Sequence, residues 1–271
     1  MKMKRYKNIT AIAYLSLCSI GLSFAESPHW TYKPIDQAQW RALEDNTQAV
    51  PSNYPYAECG LGNQQSPIDL KVAASEGVFN KLVTYYPQDK PDFFNSGHAA
   101  QVNLTDAYKG YLKIGQDKYP LIQFHFHAPS EHAYGNKLFD GELHFVHIRN
   151  DGKTIVLGIF LKAGRQSNKT LQTILNNMPE SGQHNDDSRI SIQPTLLLPK
   201  NSQQIYTYAG SLTTPPCSEG VIWYILSKPL EISKDQLSQL KALNQSNESY
   251  PNNNRLLQNL NSRVPTRLIT K

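Results

Sequence analysis

Between residues 80 and 165 the chain alternates apolar and polar positions with a period of two. The clearest case is Gln123-Phe124-His125-Phe126-His127, which Ala128-Pro129-Ser130 brings to an end. Side chains on a strand alternate faces, so Gln123, His125 and His127 share one face while Phe124 and Phe126 take the other. A second run, Glu142-Leu143-His144-Phe145-Val146, has the same period and puts Glu142, His144 and Val146 together. The stretch between them carries Pro129, Gly135, Asn136, Asp140 and Gly141, all turn formers, so the two runs are expected to be neighbouring strands. Thr154–Lys162, TIVLGIFLK, is almost continuously apolar, as a strand covered on both faces would be. Shorter strands are expected at 82–86, 100–105 and 111–114. Helical spacing occurs twice, at 168–177 (Leu171, Ile174, Leu175) and at Leu237, Leu240 and Leu243, behind a Ser233-Lys234-Asp235-Gln236 capping box. The stretch His184-Asn185-Asp186-Asp187 reads as a solvated loop with no role. The pattern predicts a single mainly-β domain.

The first residues change the charge and cysteine arithmetic. Lys2, Lys4, Arg5 and Lys7 precede a largely apolar run from Ile9 to Phe24, and Ser23-Phe24-Ala25 offers small residues at both key cleavage positions. This reads as a secretory signal peptide over 1–25, with the domain over 26–271. A membrane anchor is the alternative, but the run is short and holds Thr10, Ser16 and Ser19. A lipoprotein cysteine at Cys18 is disfavoured by the bulky Leu17 before it. Without the leader the formal charge of +5 falls by four basic residues to +1, and no basic stripe remains, which excludes a nucleic-acid partner. No later segment is long and apolar enough to span a bilayer. Three cysteines become two, Cys59 and Cys217, and in an oxidising compartment a disulfide between them is the favoured state. The expected location is outside the cytoplasm, the periplasm before the extracellular medium.

The histidines carry the chemistry. If the two strands pair, His125, His127 and His144 converge on one point. Three neutral nitrogen donors without a carboxylate or thiolate suit Zn2+ with an open fourth position. Gln123 and Glu142, two residues away on the same faces, are the kind of groups that orient ligand imidazoles. Ordinary strand histidines bonded to backbone groups are the alternative, and three of them in facing registers argue against it. A cupin-like metalloprotein would ordinarily add a carboxylate ligand. Thiolate ligation by Cys59 and Cys217 conflicts with a complete histidine set.

The chain resembles the α-class carbonic anhydrases. The resemblance rests on QFHFHAPSEH, GELHFVH, FNSGHAAQV, VLGIFLKAG, YTYAGSLTTPPCSEGVIWYI and CGLGNQQSPIDL, which run in the family's order from about Trp30 to Arg255. It implies a large twisted, mostly antiparallel central sheet with short peripheral helices. The implied activity is reversible hydration of carbon dioxide to bicarbonate and a proton by zinc-hydroxide attack, with ester hydrolysis as a possible side reaction. A silent binding relative would be expected to have lost a zinc histidine, and all three are present. By resemblance Glu131 holds the Thr213 hydroxyl, Thr213 orients the zinc-bound oxygen, and Thr214 helps place bicarbonate. Val146, Val156, Leu212, Val221 and Trp223 match an apolar pocket for carbon dioxide. His98 is a surface loop residue on its own merits. Its NSGHA setting matches the proton-shuttle motif, and an imidazole near its ordinary pKa of about 6.5 suits that task. Ser96 and Gln101 stand where animal members often have Asn. Tyr32 is equally an aromatic packing residue or, by resemblance, part of the active-site water network. The resemblance also supports the Cys59–Cys217 bridge. His132 and His147 are expected to be structural and Arg255 a buried structural ion. Monomer and homodimer remain open.

Overall fold

The computed structural model describes residues 27–72, 75–79, 82–202, 204–248 and 250–270, so the expected leader at 1–25 lies outside the described residues. Among the described residues twelve strands form one sheet: Ser75–Phe79 (β1), Val83–Tyr85 (β2), Asp92–Asn95 (β3), Ala100–Asn103 (β4), Tyr111–Ile114 (β5), Asp117–His127 (β6), Gly141–Ile148 (β7), Thr154–Gly164 (β8), His184–Asn185 (β9), Gln204–Ser211 (β10), Glu219–Ser233 (β11) and Thr266–Thr270 (β12). Their order is β1-β12-β10-β11-β8-β7-β6-β4-β3-β9, with β5 on β6 and β2 on β5. Only β1–β12 and β8–β11 pair in parallel among the described residues. The strands expected at 82–86, 100–105, 111–114 and 154–162 form over 83–85, 100–103, 111–114 and 154–164.

Parity on the central strands separates the two faces. Phe124, Phe126, Leu143, Phe145, Leu157 and Ile159 point into the larger core cluster, and the helices Lys169–Asn177 (α1) and Lys234–Glu248 (α2) cover it with Leu171, Ile174, Leu175, Leu237 and Leu240. Both helix starts are capped, the second by the box that the sequence suggests. Asn168 Oδ1 accepts from the Leu171 N–H at 3.0 Å. Ser233 Oγ accepts from the Gln236 N–H at 3.2 Å, and Gln236 Oε1 accepts from the Ser233 N–H at 3.1 Å. Gln236 also bonds both backbone groups of Asn168, which clasps the two helix starts together.

On the opposite face Ile68, Val146, Val156, Tyr208, Val221 and Trp223 form a second cluster. The N-terminal segment lies over its end, where Tyr32, Trp40 and Tyr56 pack around the Cys59–Cys217 disulfide. The stretch at His184 is not a free loop: β9 pairs with β3, and His184 Nδ1 lies 2.7 Å from Asp92 Oδ2. Its partner is nearly a hundred residues away, so no local pattern reveals it. Among the described residues no helix is long and apolar enough to cross a membrane.

Candidate metal centre

Strands β6 and β7 pair antiparallel with His125 directly opposite His144 and His127 opposite Glu142. One ring nitrogen from each of His125, His127 and His144 lies within 4.8 Å of the others. The second nitrogen of each ring decides which one is left. His125 Nδ1 donates to Gln123 Oε1 at 2.9 Å, and His127 Nδ1 donates to the Asn253 carbonyl at 2.6 Å. His144 Nε2 sits 3.0 Å from Glu142 Oε1, in ion-pair range though off the line of a well-aligned hydrogen bond. That leaves His125 Nε2, His127 Nε2 and His144 Nδ1 as lone-pair donors. His127 Nε2 is buried with no hydrogen-bond partner, a costly state for a polar atom unless something else binds it.

The electrostatics favour neutral imidazoles. Burial, then the neighbouring His127 and His144, push the His125 pKa well below its ordinary value. Burial lowers that of His127 as well, against the opposing pull of Glu131. Burial would raise the Glu142 carboxyl, but His132 and His144 beside it hold it well below the usual range, so it stays an anion and an acceptor. Around the ligands opens a cleft of about 180 Å³ lined by polar and aromatic groups, among them Tyr32, His98, Gln101, Gln123 and Thr214.

A family model of the eukaryotic-type carbonic anhydrases matches residues 45–267. The chain belongs to the α-class carbonic anhydrase family. It is 36% identical over 255 residues to a carbonic anhydrase of Nostoc sp., covering 92% of this chain and 89% of that one. It is 34% identical over 251 residues to a carbonic anhydrase of Pectobacterium carotovorum, covering 92% and 95%. Among solved structures, the α-carbonic anhydrase of Thermovibrio ammonificans in complex with the inhibitor sulfanilamide superposes with a TM-score of 0.76 at 35% identity, over 89% of this chain and 100% of that one. The chain is accordingly a carbonic anhydrase enzyme.

The other expected site residues fall around this anhydrase's ligand trio. One row crosses four strands, with Gln123 opposite Val146, Val146 opposite Val156 and Val156 opposite Trp223. Val221 and Leu212 pack into the same cluster, giving an apolar wall beside the ligands. His98 stands at the cleft mouth with its ring stacked on Trp30 (3.7 Å between centroids, 10° between planes). Tyr32 is buried in the N-terminal aromatic cluster, as a packing residue would be, and it also lines the cleft, edge-on to His127.

Glu131 departs from expectation. Its Oε1 accepts from the Arg255 N–H at 2.9 Å, while Oε2 has no hydrogen-bond partner and lies 3.5 Å from His127 Nε2 and 3.8 Å from His144 Nδ1. The hydrogen bond expected from Thr213 is therefore not formed here, because Oε2 is turned toward the two imidazoles. Two contributors escaped the sequence reading. His132 donates from Nδ1 to Glu142 Oε1 at 2.8 Å and so anchors the group facing His144. Asn253 supplies the carbonyl for His127, and its side chain bonds the Ala128 N–H and the Phe126 and His98 carbonyls. A backbone carbonyl contributed from over a hundred residues away has no signature in a sequence.

Proposed function

We propose that this carbonic anhydrase works by zinc-dependent, reversible hydration of carbon dioxide to bicarbonate and a proton, with His98 carrying the proton out. The observation that carries the reading is the trio of ring nitrogens left over once His125 Nδ1 and His127 Nδ1 are hydrogen-bonded and His144 Nε2 faces Glu142. His125 Nε2, His127 Nε2 and His144 Nδ1 would hold the ion, and the neutral donor set suits zinc. Bound there, zinc would bring a coordinated water toward ionisation near neutral pH, an effect for which carbonic anhydrases are themselves the reference case.

The chain's own groups do the rest. Val146, Val156, Leu212, Val221 and Trp223 give a small nonpolar molecule a dry wall beside the ligands. Glu131 Oε2, buried and without a donor, is the acceptor toward which the Thr213 hydroxyl would turn, so that the hydroxyl offers only its lone pairs to the reactant. Thr214 and the Thr213 backbone place the product. His98, at the mouth, accepts a proton relayed from the interior and hands it to buffer. The disulfide and the N-terminal pattern suit an exported protein, with the periplasm preferred over the extracellular medium.

His144→Ala is expected to lose zinc and hydration together, and a zinc-replete, active variant would overturn the ligand assignment. His98→Ala is expected to slow turnover in weak buffer and to recover with added imidazole. Absence of rescue would remove His98 from the proton path.

A further inference from the structure

A continuous row of hydrogen bonds joins a surface ion pair to the cleft. His184, stacked on Phe94 with 4.1 Å between ring centroids, places Nδ1 2.7 Å from Asp92 Oδ2. The same oxygen accepts from Asn103 Nδ2 at 2.9 Å, whereas Asp92 Oδ1 is buried and makes no hydrogen bond. Asn103 Oδ1 in turn accepts from Gln101 Nε2 at 2.6 Å. Gln101 stands opposite His125 in the β4–β6 register and lines the cleft beside His98.

The row has a direction, and one group sets it. A carboxylate can only accept, whereas a primary amide has one donating and one accepting end. Asn103 must therefore turn its NH2 to Asp92, which leaves its oxygen for Gln101. Gln101 must then give up its NH2 to Asn103, and its carbonyl oxygen is the end left over. Were position 92 neutral and able to donate, both amides could reverse together at little cost. Gln123 has the opposite arrangement, since its oxygen is spent on His125 and its NH2 is the end left.

We propose that Asp92 is a remote positioning residue: through Asn103 it fixes Gln101 with its carbonyl oxygen toward the cleft, as an acceptor for water between the metal ligands and His98. The kinetic consequence rests on the reading that His98 exports the proton; the orientation of Gln101 does not. An acceptor at that point holds each water with one hydrogen committed, which aligns the chain along which a proton moves.

The test uses zinc-loaded protein and two readouts, the side-chain amide resonances of Gln101 by NMR and stopped-flow hydration in weak buffer. Asp92→Asn should shift or broaden the Gln101 signals and lower kcat about threefold, the worth of one neutral hydrogen bond. kcat/KM for carbon dioxide should stay unchanged. Asn103→Ala, which cuts the row, should do the same. The exchange Asp92→Asn with Asn103→Asp moves the carboxylate one step inward and imposes the same direction on Gln101, so both readouts should return to wild type. Unchanged Gln101 resonances in Asp92→Asn would overturn the proposal, as would failure of the exchange variant to restore them. If the resonances respond but kcat in weak buffer does not, the orienting role stands and the water-path role is overturned. Insensitivity of His98→Ala to buffer would separately sink the shuttle reading.

Discussion

Glu142→Gln removes one charge from a side chain that accepts three hydrogen bonds beside the ligands and changes almost nothing in shape. In the native arrangement Glu142 Oε2 accepts from the Glu131 and His132 N–H groups at 2.9 and 2.8 Å. Oε1 accepts from His132 Nδ1 at 2.8 Å and faces His144 Nε2 at 3.0 Å. Glutamine has a single oxygen. If that oxygen keeps the two backbone N–H groups, the new NH2 faces two ring nitrogens that were both directed at an acceptor. His132 has an escape, since its proton can move to Nε2 and be donated to the Tyr208 hydroxyl at 2.6 Å. His144 has none, because moving its proton places it on Nδ1, the nitrogen left for the metal. The cost therefore falls on zinc binding, by about 10- to 100-fold, or roughly 1.4–2.7 kcal/mol. Weakening two charge-assisted hydrogen bonds to neutral ones adds about 2 kcal/mol against folding of the metal-free protein. Competition with a chromogenic chelator measures the first quantity and urea unfolding the second. A variant that binds zinc within twofold of wild type would refute the argument that Glu142 dictates the His144 tautomer.

Three further predictions rest on other parts of the structure. Gly158 lies opposite His144, and a Cβ there would meet Glu142 Oε1 at 3.0 Å and Ile225 Cγ1 at 3.1 Å. Gly158→Ala should therefore cost about 1–3 kcal/mol of stability and weaken zinc binding, read by calorimetry and chelator competition, with wild-type values in both counting against it. His147 is buried against Tyr86 Oη and burial pushes its pKa down to about 3, below the unfolded value, so the unfolded chain binds the extra proton between those limits. Stability should fall by up to roughly 1.4 kcal/mol per pH unit as pH drops from about 6.5 toward 3, and His147→Gln should flatten that slope. Equal slopes in the two proteins would contradict it. The Cys59–Cys217 bridge closes a loop of 158 residues, and reducing it should lower the urea-derived stability by up to about 5 kcal/mol. An unchanged midpoint in reductant would count against that figure.

What could be read without coordinates was whatever repeats locally. Period-two alternation placed His125, His127 and His144 on facing strands, and the Ser233–Gln236 spacing announced its helix start. Residues defined by distant partners were hidden. His132 reads as merely structural in the sequence, yet it holds Glu142 in place. The importance of Asn253 lies in a carbonyl, a group every residue has. His184 pairs with Asp92 only because a two-residue strand meets the sheet edge. The resemblance implies a Glu131–Thr213 bond, whereas Glu131 Oε2 lies 3.5 Å from His127 Nε2 and 3.8 Å from His144 Nδ1, a placement that no motif encodes.

The most direct measurement of the central claim is stopped-flow hydration of carbon dioxide by the mature protein, with metal content determined on the same sample. Native protein should hold one zinc per chain and be active; stripping with a chelator should abolish turnover, and readdition of zinc should restore it. Undiminished activity in fully stripped protein, or an inactive protein that carries its full complement of zinc, would contradict it.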